Sequence, residues 1–211
     1  MADILIDEQA APATPAAGQQ LIWVDNAAGL GLMSRDDSGS VFPLSGNMNK
    51  STASQTLVAA TDTVVTGSRI LIPSSGLTVG MVYHVRLSMS KGAVGTTGLI
   101  WTVRLGTLGT TGDASQWTHT GVAQTAVAET GFYELLCTVR SIGASGVLQA
   151  TLSVVRTGGT AATGFASVPA AEVTGAGADK SWVSGQGILL SLNGGTGGTP
   201  TITQCVAELK A

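Results

Sequence analysis

The sequence predicts an all-β protein: a small N-terminal β-meander with an extended arm, followed by an antiparallel β-sandwich of jelly-roll type. Charged residues make up only 11% of the 211 residues, while glycine alone accounts for 29 of them. Such a composition disfavours long helices and favours strands joined by tight turns. Several runs also alternate apolar and polar residues with the period of two that strands require. No alternation of strands with helices is visible.

The first part of the chain is predicted to contain an arm, a meander and a linker. Residues 1–19 form the arm, because Pro12 and Pro15 stand among small residues and fix an extended backbone. Residues 20–44 hold three short β-prone runs separated by turn-forming Asp, Asn and Gly residues, which is typical of a meander. Residues 45–54 are polar and follow neither period, so they are predicted to be a linker.

The meander is too small to enclose all of its large apolar residues. We therefore predict that it attaches to a partner, and aromatic anchors dominate the energetics of such contacts. For Trp23 and Phe42 the alternative is internal packing of the meander itself. The predicted attachment residues are Leu21, Trp23, Met33, Phe42 and Leu44.

Residues 55–211 are predicted to form the sandwich. In residues 81–89, Tyr83, Val85, Leu87 and Met89 alternate with polar residues, and residues 99–105 and 132–140 repeat this pattern. Further strands are expected at 63–72, 147–156, 187–192 and 201–209, with glycine-rich turns between them. About eight antiparallel strands with such turns are typical of a two-sheet sandwich, and of a jelly roll among these.

Catalytic and metal-binding patterns are weak in this sequence. The two histidines, His84 and His119, have no Cys or carboxylate at a recognisable catalytic or ligand spacing. His84 is expected to face solvent or an interface beside Arg86. Cys137 and Cys205 are far apart in sequence, which predicts free, buried thiols. We therefore expect no enzymatic activity, no cofactor and no metal.

Partners of two classes are disfavoured by the charge and hydropathy patterns. The net charge is −3 and no run of Lys or Arg exists, so nucleic acid is not an expected partner. The N-terminus is acidic where a signal peptide is basic, and no apolar run approaches the roughly 18 residues of a membrane helix. These features predict a protein made in a cytoplasm that does not enter a membrane.

The segment 112–120 is the one candidate for ligand binding, and we expect it to be a loop. Asp113, Gln116, Trp117 and His119 place hydrogen-bonding groups around an aromatic side chain, which is how proteins hold sugar rings. The simpler interpretation is that Trp117 packs beneath its own loop. The sequence favours that interpretation and leaves glycan binding as the alternative.

The N-terminal part resembles a known module. Its matching features are Pro12-Ala13-Thr14-Pro15-Ala16-Ala17-Gly18, the strand Leu21-Ile22-Trp23-Val24-Asp25, the run Leu32-Met33-Ser34-Arg35 with Asp37-Ser38-Gly39, and the final strand Val41 to Leu44. In this pattern the chain resembles the short N-terminal module of many bacteriophage virion proteins. The strand number and the Thr/Gly-rich turns of the larger part are similar to those of jelly-roll and tumour-necrosis-factor-like sandwiches that form trimers.

The resemblance implies a structural protein on the surface of a virion, made in the host cytoplasm. It would dock on the major capsid protein or another virion protein through its N-terminal region, as a decoration, cement or head-fibre protein. The alternative is a tail fibre or a receptor-binding module that recognises a host surface glycan. In either case a homotrimer is expected.

Overall fold

Every regular element in the described part of the chain is a β-strand, which confirms the predicted all-β class. The computed structural model describes residues 8–9, 13–25, 31–35, 41–43, 47–72, 76–94, 97–121, 123–124, 126–143, 146–156, 171–176, 186–195 and 199–210. The strands of these ranges form three sheets.

The N-terminal part forms a four-stranded sheet of its own, with its strands in chain order. Its strands are β1 (Glu8–Gln9), β2 (Leu21–Asp25), β3 (Gly31–Arg35) and β4 (Val41–Pro43). The last three pair antiparallel, as a meander does, and β1 adds to β2 in parallel. The predicted arm thus contributes a short strand to this sheet.

A seven-stranded antiparallel sheet is the larger layer of the sandwich. Its strands are β5 (Asn47–Ser51), β6 (Gln55–Thr56), β9 (Val82–Lys91), β12 (Glu129–Ser141), β13 (Val147–Arg156), β14 (Ala171–Ala176) and β16 (Thr201–Lys210). They follow the order β14-β13-β12-β9-β16-β5, and β6 also pairs with β16.

A five-stranded antiparallel sheet is the second layer. Its strands are β7 (Asp62–Val64), β8 (Ile70–Leu71), β10 (Ile100–Gly106), β11 (Ala114–Thr120) and β15 (Gly187–Asn193). The order is β11-β10-β15-β7, with β8 also paired to β15.

The core lies between these two sheets and is built from the inward-facing rows that the alternation predicts. Tyr83, Val85, Leu87 and Met89 of β9 are all buried, and so are the alternate residues of β10 and β12. Trp101 and Tyr133 bring the two layers into contact, with ring centroids 4.9 Å apart. Since burying one large apolar side chain contributes roughly 1.5–3 kcal/mol, these rows account for much of the stability of the sandwich.

Three predicted elements differ from the observed ones. The segment predicted as a linker contains β5, which pairs with β16 from Ser51 opposite Cys205 to Asn47 opposite Leu209. The strand predicted at 63–72 is two short strands, because the chain turns between them at Gly67 (φ +85°), where the amide of Ser68 donates to the carbonyl of Val65 at 3.1 Å. The segment 112–120 is largely β11 rather than a loop.

Candidate functional site

The predicted attachment residues are divided by their exposure. Leu21 and its neighbour Ile22 are 37% and 52% exposed, whereas Trp23 is 1% exposed and therefore buried within the chain. The prediction of Trp23 as a surface anchor is thus corrected: its ring is not free to contact a partner. Met33 and Phe42 lie in β3 and β4, but their side chains are outside the described part of the structure, as is the whole of Leu44.

The predicted glycan-binding residues do not form an exposed aromatic patch. Trp117 lies on the inner side of β11 in the core and is 3% exposed, so neither face of its indole is available to a sugar ring. Asp113 is also buried, and its carboxylate accepts hydrogen bonds from the amides of Leu108 (3.0 Å) and Gly109 (2.8 Å). Asp113 therefore stabilises the turn between β10 and β11.

The side chains of His119 and Gln116 also make contacts within the chain. The His119 ring stacks on Trp117 at a centroid distance of 5.9 Å, and burial lowers the pKa of His119 from its ordinary value. The Gln116 side chain is buried and donates to the carbonyl of Ala114 at 3.2 Å. The four residues thus lie close together, but as packing and turn-forming groups.

A network of charged side chains lies on the outer face of the seven-stranded sheet. His84 of β9 bonds through Nε2 to Glu134 of β12 at 2.7 Å, and its Nδ1 lies 3.4 Å from Nζ of Lys210. Glu208 of β16 bonds through Oε1 to Arg86 (2.8 Å) and through Oε2 to Lys210 (2.6 Å). Three adjacent strands are thereby joined by side chains as well as by backbone.

His84 is more enclosed than its place on the polar face of β9 suggests. It is 8% exposed, because Glu134 and Lys210 from the two flanking strands cover the ring. The hydrogen bond from Lys210, followed by the charges of Lys210, Arg86 and His84, lowers the pKa of Glu208. The sequence identified His84 and Arg86 as neighbours but gave no signal for Glu134 and Glu208, which lie on strands remote in the chain.

A second polar network crosses the outer side of the five-stranded sheet. Arg104 of β10 pairs with Asp62 of β7 and donates from Nε to the Ser191 hydroxyl on the intervening β15, at 2.9 Å. Its Nη1 also donates to the carbonyl of Asp113 at 2.9 Å. The network therefore links side chains of β10, β15 and β7, which are consecutive strands of this sheet.

The two cysteines are buried free thiols, as predicted. Burial raises the pKa of Cys205 to about 12 and that of Cys137 further, so neither has the thiolate character of a reactive cysteine.

Within the described ranges, no three His, Cys, Asp or Glu side chains are grouped so as to hold a metal ion. The same ranges contain no helix with the length and apolarity needed to cross a membrane.

These features define the chain as a β-sandwich protein with a separate N-terminal sheet and with polar networks on both outer faces of the sandwich. Comparison of the chain with protein-family models, with curated proteins and with solved structures gave no match.

Proposed function

We propose that this chain is a non-enzymatic structural protein of a bacteriophage virion. Its N-terminal sheet docks on the capsid, and its sandwich projects from the particle as a decoration, cement or head-fibre protein. The observation that carries the proposal is the division of the chain into a sandwich and a small N-terminal sheet whose strands, among the residues that the structure describes, pair only with one another. Such a division would allow the small sheet to attach to the particle while the sandwich extends from it.

The strand order of the sandwich supports a jelly-roll assignment. Its pairs are nested in chain order: β5 and β6 pair with β16, β7 and β8 with β15, β9 with β12, and β10 with β11. A jelly roll is a long antiparallel ribbon wrapped so that successive pairs alternate between two sheets. The nested pairs alternate here in that way, and β13 and β14 extend the larger sheet beyond β12.

Exposed apolar residues on β2 support docking through the N-terminal sheet. Leu21 and Ile22 are exposed beside the buried Trp23, and Ile22 is aligned with Ser34 and Phe42 across the three antiparallel strands. Exposed apolar residues on a sheet whose described strands pair with no other sheet favour a contact surface. The Pro-containing arm beside it loses less conformational entropy on binding than a flexible one would.

Reconstitution on particles tests the docking proposal. Purified protein is mixed with virions that lack it, and the bound fraction is measured after sedimentation. We expect a chain without residues 1–46, and a Leu21→Ser/Ile22→Ser variant, to lose most binding. Several tethers per assembly would amplify each loss.

The control is Trp23→Ala, which removes a buried ring and is expected to lower the melting temperature of the N-terminal part. Thr56→Ala, in the sandwich, should leave binding unchanged. Full binding by the chain without residues 1–46 would move attachment to the sandwich, and failure of the wild-type protein to sediment with any virion would reject the virion assignment.

A further inference from the structure

The outer face of the seven-stranded sheet contains a shallow depression of about 230 Å³. Its lining residues come from three adjacent strands, β12, β9 and β16. They are Phe132, Arg86, Ser88, Gln204 and Val206. No predicted site includes this position.

The shape of the depression follows from the strand register. Phe132, Ser88 and Gln204 are directly opposite one another across the three strands and form one row. Ser88, in the middle, has a short side chain, so the longer side chains of its two neighbours stand as walls on either side. These walls are two strand spacings apart, roughly 9 to 10 Å.

A β-bulge in β16 places Gln204 in this row. The register shifts between Ile202 and Gln204, so that Ile202 stays opposite Met89 while Gln204 is opposite Ser88. In a regular pairing without the bulge, Thr203 would be opposite Ser88, and Gln204 would be opposite Leu87 and would face the core. The Thr203 hydroxyl donates to the Ser88 carbonyl at 3.2 Å and holds the bulge at the depression. Bulges commonly re-aim a side chain beside a binding site.

The side chains of the depression combine one aromatic ring with several hydrogen-bonding groups. Phe132 is 36% exposed, although a ring of this size is usually more enclosed. Around it are the Ser88 hydroxyl, the Gln204 amide and the Arg86 guanidinium, whose side chain is 42% exposed. An aromatic face flanked by donors and acceptors at this spacing suits a ring that is apolar on its faces and hydroxylated at its edge.

The charges around the depression select a neutral ligand. Arg86 is bonded to Glu208 at 2.8 Å and lies opposite Glu134 in the register of β9 and β12. Lys210 is likewise bonded to Glu208. Arg86 and Lys210 are thus matched by Glu208 and Glu134, so these four side chains leave no excess positive charge to attract an anion. Arg86 still has N–H groups that are not directed at Glu208.

We propose that this depression is a binding site for a neutral saccharide ring, which stacks on Phe132 and hydrogen-bonds to Gln204, Ser88 and Arg86. The proposal goes beyond the structural function above and does not depend on where on a virion the protein lies. It moves the glycan-binding surface from the strand that holds Trp117 to the opposite sheet.

An array of glycans tests the proposal with the isolated full-length protein. The array carries chains that end in glucose, galactose, mannose or N-acetylglucosamine, and sialylated counterparts of the same chains. We expect binding to one or more of the neutral chains, with no gain from sialylation. Phe132→Ala and Gln204→Ala should each weaken that binding by about tenfold.

The matched control is Leu136→Ala. Leu136 is on the same strand and the same face as Phe132, and the two are similarly exposed, at 37% and 36%. We expect Leu136→Ala to bind as the wild type does, and circular dichroism melting of all three variants establishes that they are folded.

Three results on the array would overturn the saccharide site: no binding by the wild-type protein, binding that survives both Phe132→Ala and Gln204→Ala, and preferred binding of the sialylated chains. Light scattering provides one more test. Dissociation of an oligomer by Phe132→Ala would also overturn the site, since it would assign this face to a second copy of the chain. None of these outcomes bears on sedimentation with virions, so the two proposals fail separately.

Discussion

Asp113 is fixed by two backbone amides at the turn between β10 and β11. The turn is closely packed around it: a Cβ atom at Gly106 would lie 2.2 Å from Oδ1 of Asp113. Only glycine therefore fits at position 106 while the carboxylate keeps its place. From the sequence alone, Asp113 beside Gln116 and Trp117 could stabilise a turn or bind a sugar. The residue type does not specify whether its hydrogen bonds go to the backbone or to a ligand.

We predict that Asp113→Ala lowers the free energy of unfolding by about 1–3 kcal/mol, because the amides of Leu108 and Gly109 lose a charged acceptor. Urea denaturation of the full-length protein measures this change. Ser115→Ala, at an exposed position on the same hairpin, is the control and should change stability by less than about 0.5 kcal/mol. An Asp113→Ala variant of wild-type stability would show that the turn does not need its carboxylate.

Glu208 provides a prediction of pH dependence. Its pKa in the folded protein is below the ordinary 4.5, first because Lys210 donates a hydrogen bond to the carboxylate. A carboxyl with a lowered folded pKa stabilises the protein above its unfolded pKa, and the stabilisation is lost as the pH falls through the folded pKa. Wild-type stability should therefore decline below pH 4.5.

The Glu208→Gln variant should be less stable than the wild type at pH 7 by no more than about 1 kcal/mol, since the network is partly exposed. The difference should be smaller at pH 3 than at pH 7, because more of the carboxyl is protonated at the lower pH. Thermal melting at the two pH values measures it. In a Lys210→Gln background the effect of Glu208→Gln should be smaller, and equal effects in both backgrounds would exclude the coupling.

At the scale of elements, a strand can be predicted from the sequence when its two faces differ in polarity. β9, β10 and β12 were predicted because one face of each is apolar and the other polar. β5 was not, because its Asn47-Met48-Asn49-Lys50-Ser51 run has no apolar face to reveal. An edge strand can be held by backbone hydrogen bonds to its neighbour, and here Asn49 adds a side-chain bond to the carbonyl of Arg69 at 2.9 Å. Such contacts do not require apolar and polar residues to alternate, so the sequence shows no strand pattern there.

The same limit applies to the depression on the larger sheet. Strand alternation placed Tyr133 inward, and hence Phe132 outward, but it could not place Gln204 opposite Ser88. That alignment depends on which strands are neighbours and on the bulge at Thr203, and neither is encoded by a local pattern. The charged network around His84 was missed for the same reason.

β5 leads to a prediction about where the sandwich can be cut from the chain. A fragment of residues 46–211 keeps β5, whereas a fragment of residues 55–211 exposes the backbone edge of β16 from Cys205 to Leu209. Exposed edges promote pairing with other chains. We expect the longer fragment to melt cooperatively and the shorter one to melt at lower temperature or to aggregate.

Calorimetry and size-exclusion chromatography of the two fragments measure this difference. The control is Met48→Lys in the longer fragment: this side chain of β5 is 55% exposed, so the substitution should leave stability nearly unchanged. Equal stability of the two fragments would show that β5 contributes nothing to the sandwich.

At the scale of the whole molecule, we predict a symmetric homotrimer. The chain has few charges, and large apolar side chains stay exposed in the single chain, among them Leu71, Val79 and Leu108 at 54%, 61% and 66%. Association would cover part of this surface. Light scattering of the full-length protein at micromolar concentration measures the mass, and a stable monomer would contradict the prediction.

The antiparallel pairing of β5 with β16 also determines how the sandwich would respond to mechanical load. Residue 47, where the chain enters the sandwich from the N-terminal sheet, is paired with residue 209 at the far end of the chain. A pull applied between these two points would act across the ladder and open its hydrogen bonds one after another, beginning at that end. A pull between residue 51 and residue 209 would instead act along the strands and load all of these bonds together. The sandwich should therefore be mechanically weak along the first direction and strong along the second, whatever its thermodynamic stability.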